Sequence, residues 1–315
     1  ISPLPGIEID RNKVPNASQS LQEIDMNNST ATTIVDLLGE KLTGVTIKDV
    51  QNSPFQKNLD YRGFTAAPLL GESQGLAVYL NGTRINEGFG DTLQWELVPE
   101  AALTNIDLMS ANPVFGLNAL GGSLALTTKK GLDYLNTDSS IENHFEVGGA
   151  DWVNGNIELG AGTETQGLYV AMENSYDGGW RDNSAGDVKR LFVNYGILGD
   201  NFDYDFTFMN ADSNLNGNGV SPTELLKVRR ESVFTWPDFT SNKVYLAASN
   251  ANFYLEDDSA INTSIYYRRL IRDTMNADEL DAEECAEDNE THAEQMEDDF
   301  GTADEPILFR NYLNK

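Results

Sequence analysis

A single cysteine, Cys285, and only two histidines, His144 and His292, stand in 315 residues. One thiol builds no disulfide framework, and so few soft ligands build no Cys/His metal cluster. No run approaches the roughly 18 consecutive apolar residues of a membrane helix, so any membrane span must be made of strands. Positive charge is scarce too, with 21 Lys and Arg against 50 Asp and Glu and a formal charge of -29. A phosphate binder needs the opposite sign, which sets aside nucleic acid and anionic headgroups as the main partner. Ile1 is preceded by no initiator Met and opens no charged and then apolar leader, so the chain reads as mature or trimmed. Walker A, H-E-x-x-H and EF-hand patterns are missing as well. Gly71-Glu72-Ser73-Gln74-Gly75 satisfies G-x-S-x-G, but a nucleophile elbow needs a strand before the serine and a helix after it. Here Pro68-Leu69-Leu70 precedes and a strand-like run follows, so hydrolase chemistry at Ser73 is rejected.

What is present is organised around Asn105 to Gly131. A strand-like run, Ile106 to Met109, leads into a turn at Pro113, then Phe115-Gly116, Asn118-Ala119 and the pair Gly121-Gly122, which feed a second strand, Ser123 to Thr128. Gly121 and Gly122 suit positive φ or a close backbone approach, and Leu124, Leu126 and Thr128 alternate as on a half-buried strand. Upstream, Thr32 or Thr33 caps a helix whose apolar face is Ile34, Leu37, Leu38 and Leu42, ended by Gly44, and Val45 to Val50 reads as a strand. Arg62-Gly63-Phe64 closes another run. Asn81-Gly82 is a tight-turn pair that makes Leu76 to Ile85 a hairpin. Glu87 to Trp95 is a Gly-rich loop.

This arrangement resembles the plug domain of TonB-dependent outer-membrane receptors over about a hundred residues. The resemblance rests on the Phe-Gly-x-x-Ala-x-Gly-Gly turn at Phe115 to Gly122, Asp36 to Leu38, Arg62-Gly63-Phe64 and Val78 to Gly82. It implies an α+β plug followed by antiparallel transmembrane β-barrel strands. The plug's structural positions would be Arg62, Gly63, Asn81, Gly82, Gly116, Gly121 and Gly122. Arg62 would either pair with buried carboxylates or be an exposed strand-end charge. Plug loops of this family contact ligand, so Phe89, Asp91 and Trp95 become ligand-binding candidates, with packing against the barrel wall as the plainer reading of each. The resemblance further implies a bacterial outer-membrane location, a small nutrient ligand such as a ferric siderophore, cobalamin or oligosaccharide, and TonB with ExbB and ExbD as partners. No enzymatic activity, catalytic residue or cofactor is implied. A convincing TonB-binding motif does not stand in the Pro- and Asn-rich leader, Ile1 to Thr30, so it would lie before Ile1.

From Ile141 onward the pattern becomes runs of about ten residues with a period of two, the mark of strands in lipid. Phe202, Tyr204, Phe206 and Phe208 alternate with Asp203, Asp205 and Thr207; Leu191, Val193, Tyr195 and Ile197 alternate with Phe192, Asn194 and Gly196. Ile261, Thr263, Ile265 and Tyr267 alternate likewise. The pattern predicts about eight strands, near 141–149, 152–162, 166–176, 187–198, 202–213, 243–256, 260–272 and 306–315. After the first, tight hairpin their connections alternate short and long, as periplasmic turns and extracellular loops do. The expected organisation is a leader over 1–30, a plug over 31–135 and barrel strands over 136–315. Eight strands enclose too little space for a hundred-residue plug, and plugged transporters have about 22, so an open sheet and a barrel continued elsewhere are expected. Cys285 would find its partner there.

Residues 277 to 305 hold 14 Asp or Glu. So dense a run is first a solvated loop; its second reading is cation attraction, with Ca²⁺ as the bridging ion and Arg229 and Arg230 as pairing partners. The alternative to transport is an outer-membrane surface-binding or adhesion protein that engages a partner through such loops.

Overall fold

The computed structural model describes residues 17–111, 115–255, 259–278 and 309–312. Pro113, Cys285, His292, the acidic run beyond Asp278 with its proposed Ca²⁺ site, and residues 1–16 lie outside them. No helix among the described residues is long and apolar enough to cross a membrane.

The N-terminal unit is a mixed α+β body. Its larger sheet contains β1 (Ser18–Gln22), β5 (Leu76–Leu80), β6 (Thr83–Arg84), β7 (Leu103–Ser110) and β8 (Gly122–Thr128) in the order β1-β7-β8-β5-β6. A smaller sheet orders β2 (Val45–Asp49), β3 (Lys57–Tyr61) and β4 (Phe64–Ala66). Two helices, α1 (Glu23–Asn27) and α2 (Ile34–Lys41), complete it. The Thr33 hydroxyl caps α2 by accepting from the Asp36 amide, and Ile34, Val35, Leu37 and Leu38 are buried. Those four sit at i, i+1, i+3 and i+4, the apolar stripe of an amphipathic helix.

Two expectations change here. The leader does not extend to Thr30, because β1 pairs antiparallel with β7, from Ser18 opposite Met109 to Gln22 opposite Asn105. Its alternation is too short and too polar to announce a strand. Nor is β8 half-buried: it lies between β7 and β5, parallel to the latter, and only Thr127 along it is exposed. Central strands are covered on both faces, so alternation between Leu and Ala there records side-chain size rather than solvent.

Asn81 and Gly82 take φ of 47° and 82° between β5 and β6, the two left-handed residues of the turn that the Asn-Gly pair announced. Gly121 and Gly122 have no positive φ and serve close approach instead. A side chain at Gly121 would meet the Phe64 ring, and one at Gly122 would meet the Met109 carbonyl oxygen of the paired strand. Gly63 and Gly116 are left-handed, at φ of 88° and 89°. Arg62, at φ 55°, is exposed with its guanidinium 4.9 Å from the centroid of the Tyr61 ring, so it is the strand-end charge and not a buried pair.

The second unit is one antiparallel sheet of eight strands in sequential order: β9 (Ser140–Val147), β10 (Val153–Gly162), β11 (Gln166–Asp177), β12 (Gly186–Leu198), β13 (Phe202–Asn216), β14 (Phe239–Tyr254), β15 (Ala260–Asp278) and β16 (Phe309–Tyr312). It is open, since β9 and β16 are its two ends and do not pair. A short helix, α3 (Thr223–Val228), lies in the connection between β13 and β14. The strand faces are inverted relative to a soluble protein. Asp205 and Thr207 are 4% and 2% exposed, whereas Phe206 between them is 38% exposed. The polar face lies against the plug and the aromatic face looks outward, as lipid requires.

The segment joining the units is pinned rather than free. A 3-10 turn, Gly131–Tyr134, lies on the inner face of the wall: the Gly131 amide donates to Asn194 at 2.7 Å, and Tyr134 stacks on Tyr169 with centroids 5.5 Å apart.

Gly122→Ala should destabilise the plug by about 1–3 kcal/mol, because the added methyl forces two paired backbones apart. Gly88→Ala, where the new methyl meets nothing within 4 Å, should stay within about 0.5 kcal/mol. Denaturant midpoints of the full-length protein in detergent would check both.

Candidate functional site

Every inward-facing strand position is a place where a polar side chain must find a partner on the plug, and the charged ones define the site. Arg190 on β12 is 6% exposed and gathers the centre of it. Its Nε donates to the Glu96 carbonyl at 2.5 Å, Nη1 to Glu173 on β11 at 3.1 Å and Nη2 to Glu100 of the plug at 3.2 Å. The short 3-10 turns Trp95–Leu97 and Glu100–Ala102 present these plug groups, and the Glu100 carboxylate also accepts the Ile34 amide at the start of α2. The Glu96 carboxylate accepts from Asn242 of β14 at 2.8 Å and Ser213 of β13 at 3.2 Å; Arg272 of β15 donates to Asn242 at 2.9 Å. One plug segment is thus bonded to three consecutive strands, β12 to β14, and through Arg190 and Asn242 to one more on each side.

Two further ties flank this centre. Glu87 of the plug meets Arg268 of β15 at 2.7 Å, with both side chains mostly buried. At the linker end the polarity reverses. Lys129 of the plug reaches Glu158 of β10 at 2.6 Å and Glu23 of α1 at 3.1 Å, while the Tyr169 hydroxyl donates to the same Glu158. Burial pulls the Lys129 ammonium down, but the hydrogen bonds and charges of Glu158 and Glu23 outweigh it and the net shift is upward. Burial raises the Glu96 carboxyl and pushes Glu100 up to about 7 against the pull of Arg190.

At the end carrying the long connections, the plug loop between β2 and β3 meets the strand tips. Asn52 accepts the Trp180 indole at 3.1 Å, the Asn218 amide donates to the Gln51 carbonyl at 2.8 Å, and Phe55 lies against Trp152 with centroids 5.5 Å apart. Asp49, Lys57, Glu146, Trp152, Asp177 and Trp180 line an open cleft between plug and wall. Lys57 is held by Asp36 at 2.7 Å, and Arg181 and Arg230 lie within 6 Å of the Trp180 ring centroid. Arg229 pairs with Asp182 at 2.6 Å and Glu231 at 3.8 Å.

The three loop candidates separate. Phe89 is 76% exposed among the described residues. Asp91 is turned into the plug, bonded to Arg84 at 2.5 Å and accepting from Asn118. Trp95 is 1% exposed, with its indole donating to the Ala66 carbonyl at 3.0 Å, so it is a core residue and not a presented one. Phe115, Ala119 and Tyr79 share a small core around Gly116, with the Tyr79 hydroxyl donating to the Phe115 carbonyl. Among the described residues no group of three or more His, Cys, Asp or Glu is arranged to hold a metal ion. Sequence reading missed Glu96, Glu100, Arg190 and Lys129. The signal for Arg190 was present: it shares inward parity with Phe192, Asn194 and Gly196, and a charge at such a position demands a partner.

A plug domain bound through charged side chains to the polar face of an outward-apolar antiparallel sheet is the architecture of a plugged outer-membrane barrel. Residues 10–123 match the family model of the TonB-dependent Receptor Plug Domain. A sequence comparison with curated proteins finds no match. Among solved structures, the ferric citrate transporter FecA in its unliganded form aligns at a TM-score of 0.68 and 16% identity, over 83% of this chain and 40% of its own. The ferripyoverdine receptor of the outer membrane of Pseudomonas aeruginosa aligns at 0.68 and 11%, over 89% and 37%. The ferric yersiniabactin uptake receptor FyuA from Yersinia pestis aligns at 0.65 and 13%, over 83% and 43%. Residues 10–123 thus carry a TonB-dependent receptor plug domain, the chain as a whole has the fold of the plug and barrel strands of these structures, and it spans between 37 and 43% of the length of the three.

Arg190→Met should weaken plug seating by about 3–5 kcal/mol at pH 8, because it leaves Glu100 and Glu173 buried without their shared cation. Adding Glu100→Gln to Arg190→Met should recover part of the loss. Denaturant midpoints for the two single variants and the double variant would measure this coupling.

Proposed function

We propose that the protein imports a scarce nutrient across the outer membrane, with the plug as the gate and TonB, energised by ExbB and ExbD, as the source of force. The observation that carries this reading is the nature of the seal. Hydrogen-bonded and ionic side chains, from Glu87 with Arg268 to Lys129 with Glu158, tie the plug to the wall beside apolar contacts in which Phe192, Met209, Val244 and Leu246 of the wall join the plug core. Each charged or hydrogen-bonding group regains hydration when the seal parts, which offsets part of the cost of displacing the plug. The N-terminal strand β1 supports the same reading. It sits at the edge of the plug sheet and pairs with β7 alone, so a pull on the segment before it opens one ladder without crossing a second.

In this reading the long connections are extracellular and ligand first meets the cleft at that end. Trp180 at its rim is 46% exposed, and Asp177 and Asn52 place polar atoms beside the aromatic walls, the composition of a small-molecule site. Phe89 is the second contact that the plug offers. The similar structures come from proteins that carry ferric citrate or take up ferric yersiniabactin, which makes a metal chelate the first class of cargo to try. The protein would move its cargo without altering a covalent bond in it.

A strain lacking the gene should take up a labelled ferric chelate only when the full-length receptor is restored and TonB is intact. Trp180→Ala should weaken chelate binding about tenfold, the loss of an aromatic contact worth over 1 kcal/mol. Uptake that is unaffected by deleting TonB would return the protein to the surface-binding class.

A further inference from the structure

The junction around Arg190 does not balance its own charge. Glu96, Glu100 and Glu173 bring three carboxylates, and Arg190 and Arg272 bring two guanidiniums, so one negative charge is left over. The charged groups on the elements around it bring no spare cation: Asp36 of α2 pairs with Lys57 of β3, Glu87 of the plug with Arg268 of β15, and Lys129 faces Glu158 of β10, Glu23 of α1 and Glu142 of β9. Hydrogen bonding shows the same deficit. Oε2 of Glu96 and Oε1 of Glu173, on side chains 2% and 7% exposed, are buried and accept from no donor, against one buried Arg272 nitrogen, Nη2, that finds no acceptor. A proton on one carboxyl would supply the missing charge.

We propose that this junction holds one proton when the plug is seated, and that losing it loosens the plug from the wall, so that plug seating responds to pH. The geometry gives the proton a site. Within the described residues the Glu100 side chain is 25% exposed and Arg190 beside it 3%, so of the two it is the carboxyl that lies nearer to solvent. The direction follows from burial. Seated, Glu100 titrates at about 7; released into water it returns to its ordinary 4.5. The seated state therefore binds the extra proton throughout that interval, and its advantage over the loosened state grows as pH falls below 7 and shrinks as pH rises through it. Between pH 5.5 and 8 the shift from 4.5 to about 7 corresponds to a roughly 25-fold change in the seating equilibrium.

The test is hydrogen exchange of the full-length receptor in lipid nanodiscs from pH 5.5 to 8, corrected for intrinsic exchange rates. Protection of the amides over 95–102 should fall roughly 25-fold across that range, while β12 and β13 keep theirs and show that the wall stays folded. Glu100→Gln, which fixes the neutral form, should flatten the profile near the wild-type value at pH 5.5. Glu173→Gln, which removes the surplus charge from the other side, should flatten it too and serves if the first variant does not fold. Wild-type protection that is flat in pH, or variants that keep the wild-type slope, would overturn the proposal. Because the readout needs neither ligand nor TonB, its failure leaves the transport reading standing, and the failure of transport leaves it untouched.

Discussion

Arg190 on the wall, holding Glu96 and Glu100 of the plug and Glu173 of the neighbouring strand, is the contact on which the rest of the arrangement depends. It can exist only because the strands present a polar side inward. In a water-soluble sandwich the same alternation would bury its aromatic side, and a guanidinium at the position of Arg190 would have faced solvent. Here lipid takes the aromatic side, so the inner side must satisfy its hydrogen bonds with protein. The plug is what satisfies them, and each unit supplies the partners that the other lacks.

That mutual dependence explains the asymmetry between stability and movability. A buried guanidinium shared by two carboxylates fixes orientation more than it adds free energy, since desolvation consumes most of what attraction returns. The apolar core of the plug lies mainly within the plug, around Leu38, Leu59, Leu76, Trp95, Ile106 and Leu124. The unit is therefore held together by burial and oriented on the wall by polar bonds. Two apolar contacts join it to the wall: Phe192, Met209, Val244 and Leu246 extend the plug core, and Phe55 with Trp152, Val188 and Leu215 clasps the plug loop to the strand tips at the long-connection end. A force on β1 and an occupant in the cleft would act on opposite ends of the same body.

How much of this was legible depended on whether a residue's role is set locally. The strands were readable because alternation is a local pattern: Phe202 to Phe208 and Leu191 to Ile197 announced β13 and β12, and an open sheet followed from strand count against plug size. Asn81-Gly82 announced its turn for the same reason. Trp95 was misplaced as a ligand candidate because a tryptophan in a Gly-rich loop looks the same whether it faces a cavity or fills a core; what decides is Ala66, twenty-nine residues away, accepting its indole. β1 was missed because Ser18 to Gln22 carries almost no apolar signal and becomes a strand only by pairing with β7. Glu96, Glu100 and Lys129 were invisible as a set, since their partners stand on strands far along the chain and nothing in the spacing links them.

The central claim is that the wall turns its polar side to the plug and its apolar side to lipid. Single nitroxide labels placed in turn at Asp205, Phe206, Thr207 and Phe208, in the full-length protein reconstituted in lipid with Cys285 replaced by serine, would test it most directly. The account predicts high collision rates with dissolved oxygen at 206 and 208 and low rates at 205 and 207, where the side chains lie against the plug. Equal rates at all four, or an alternation of the opposite phase, would contradict it.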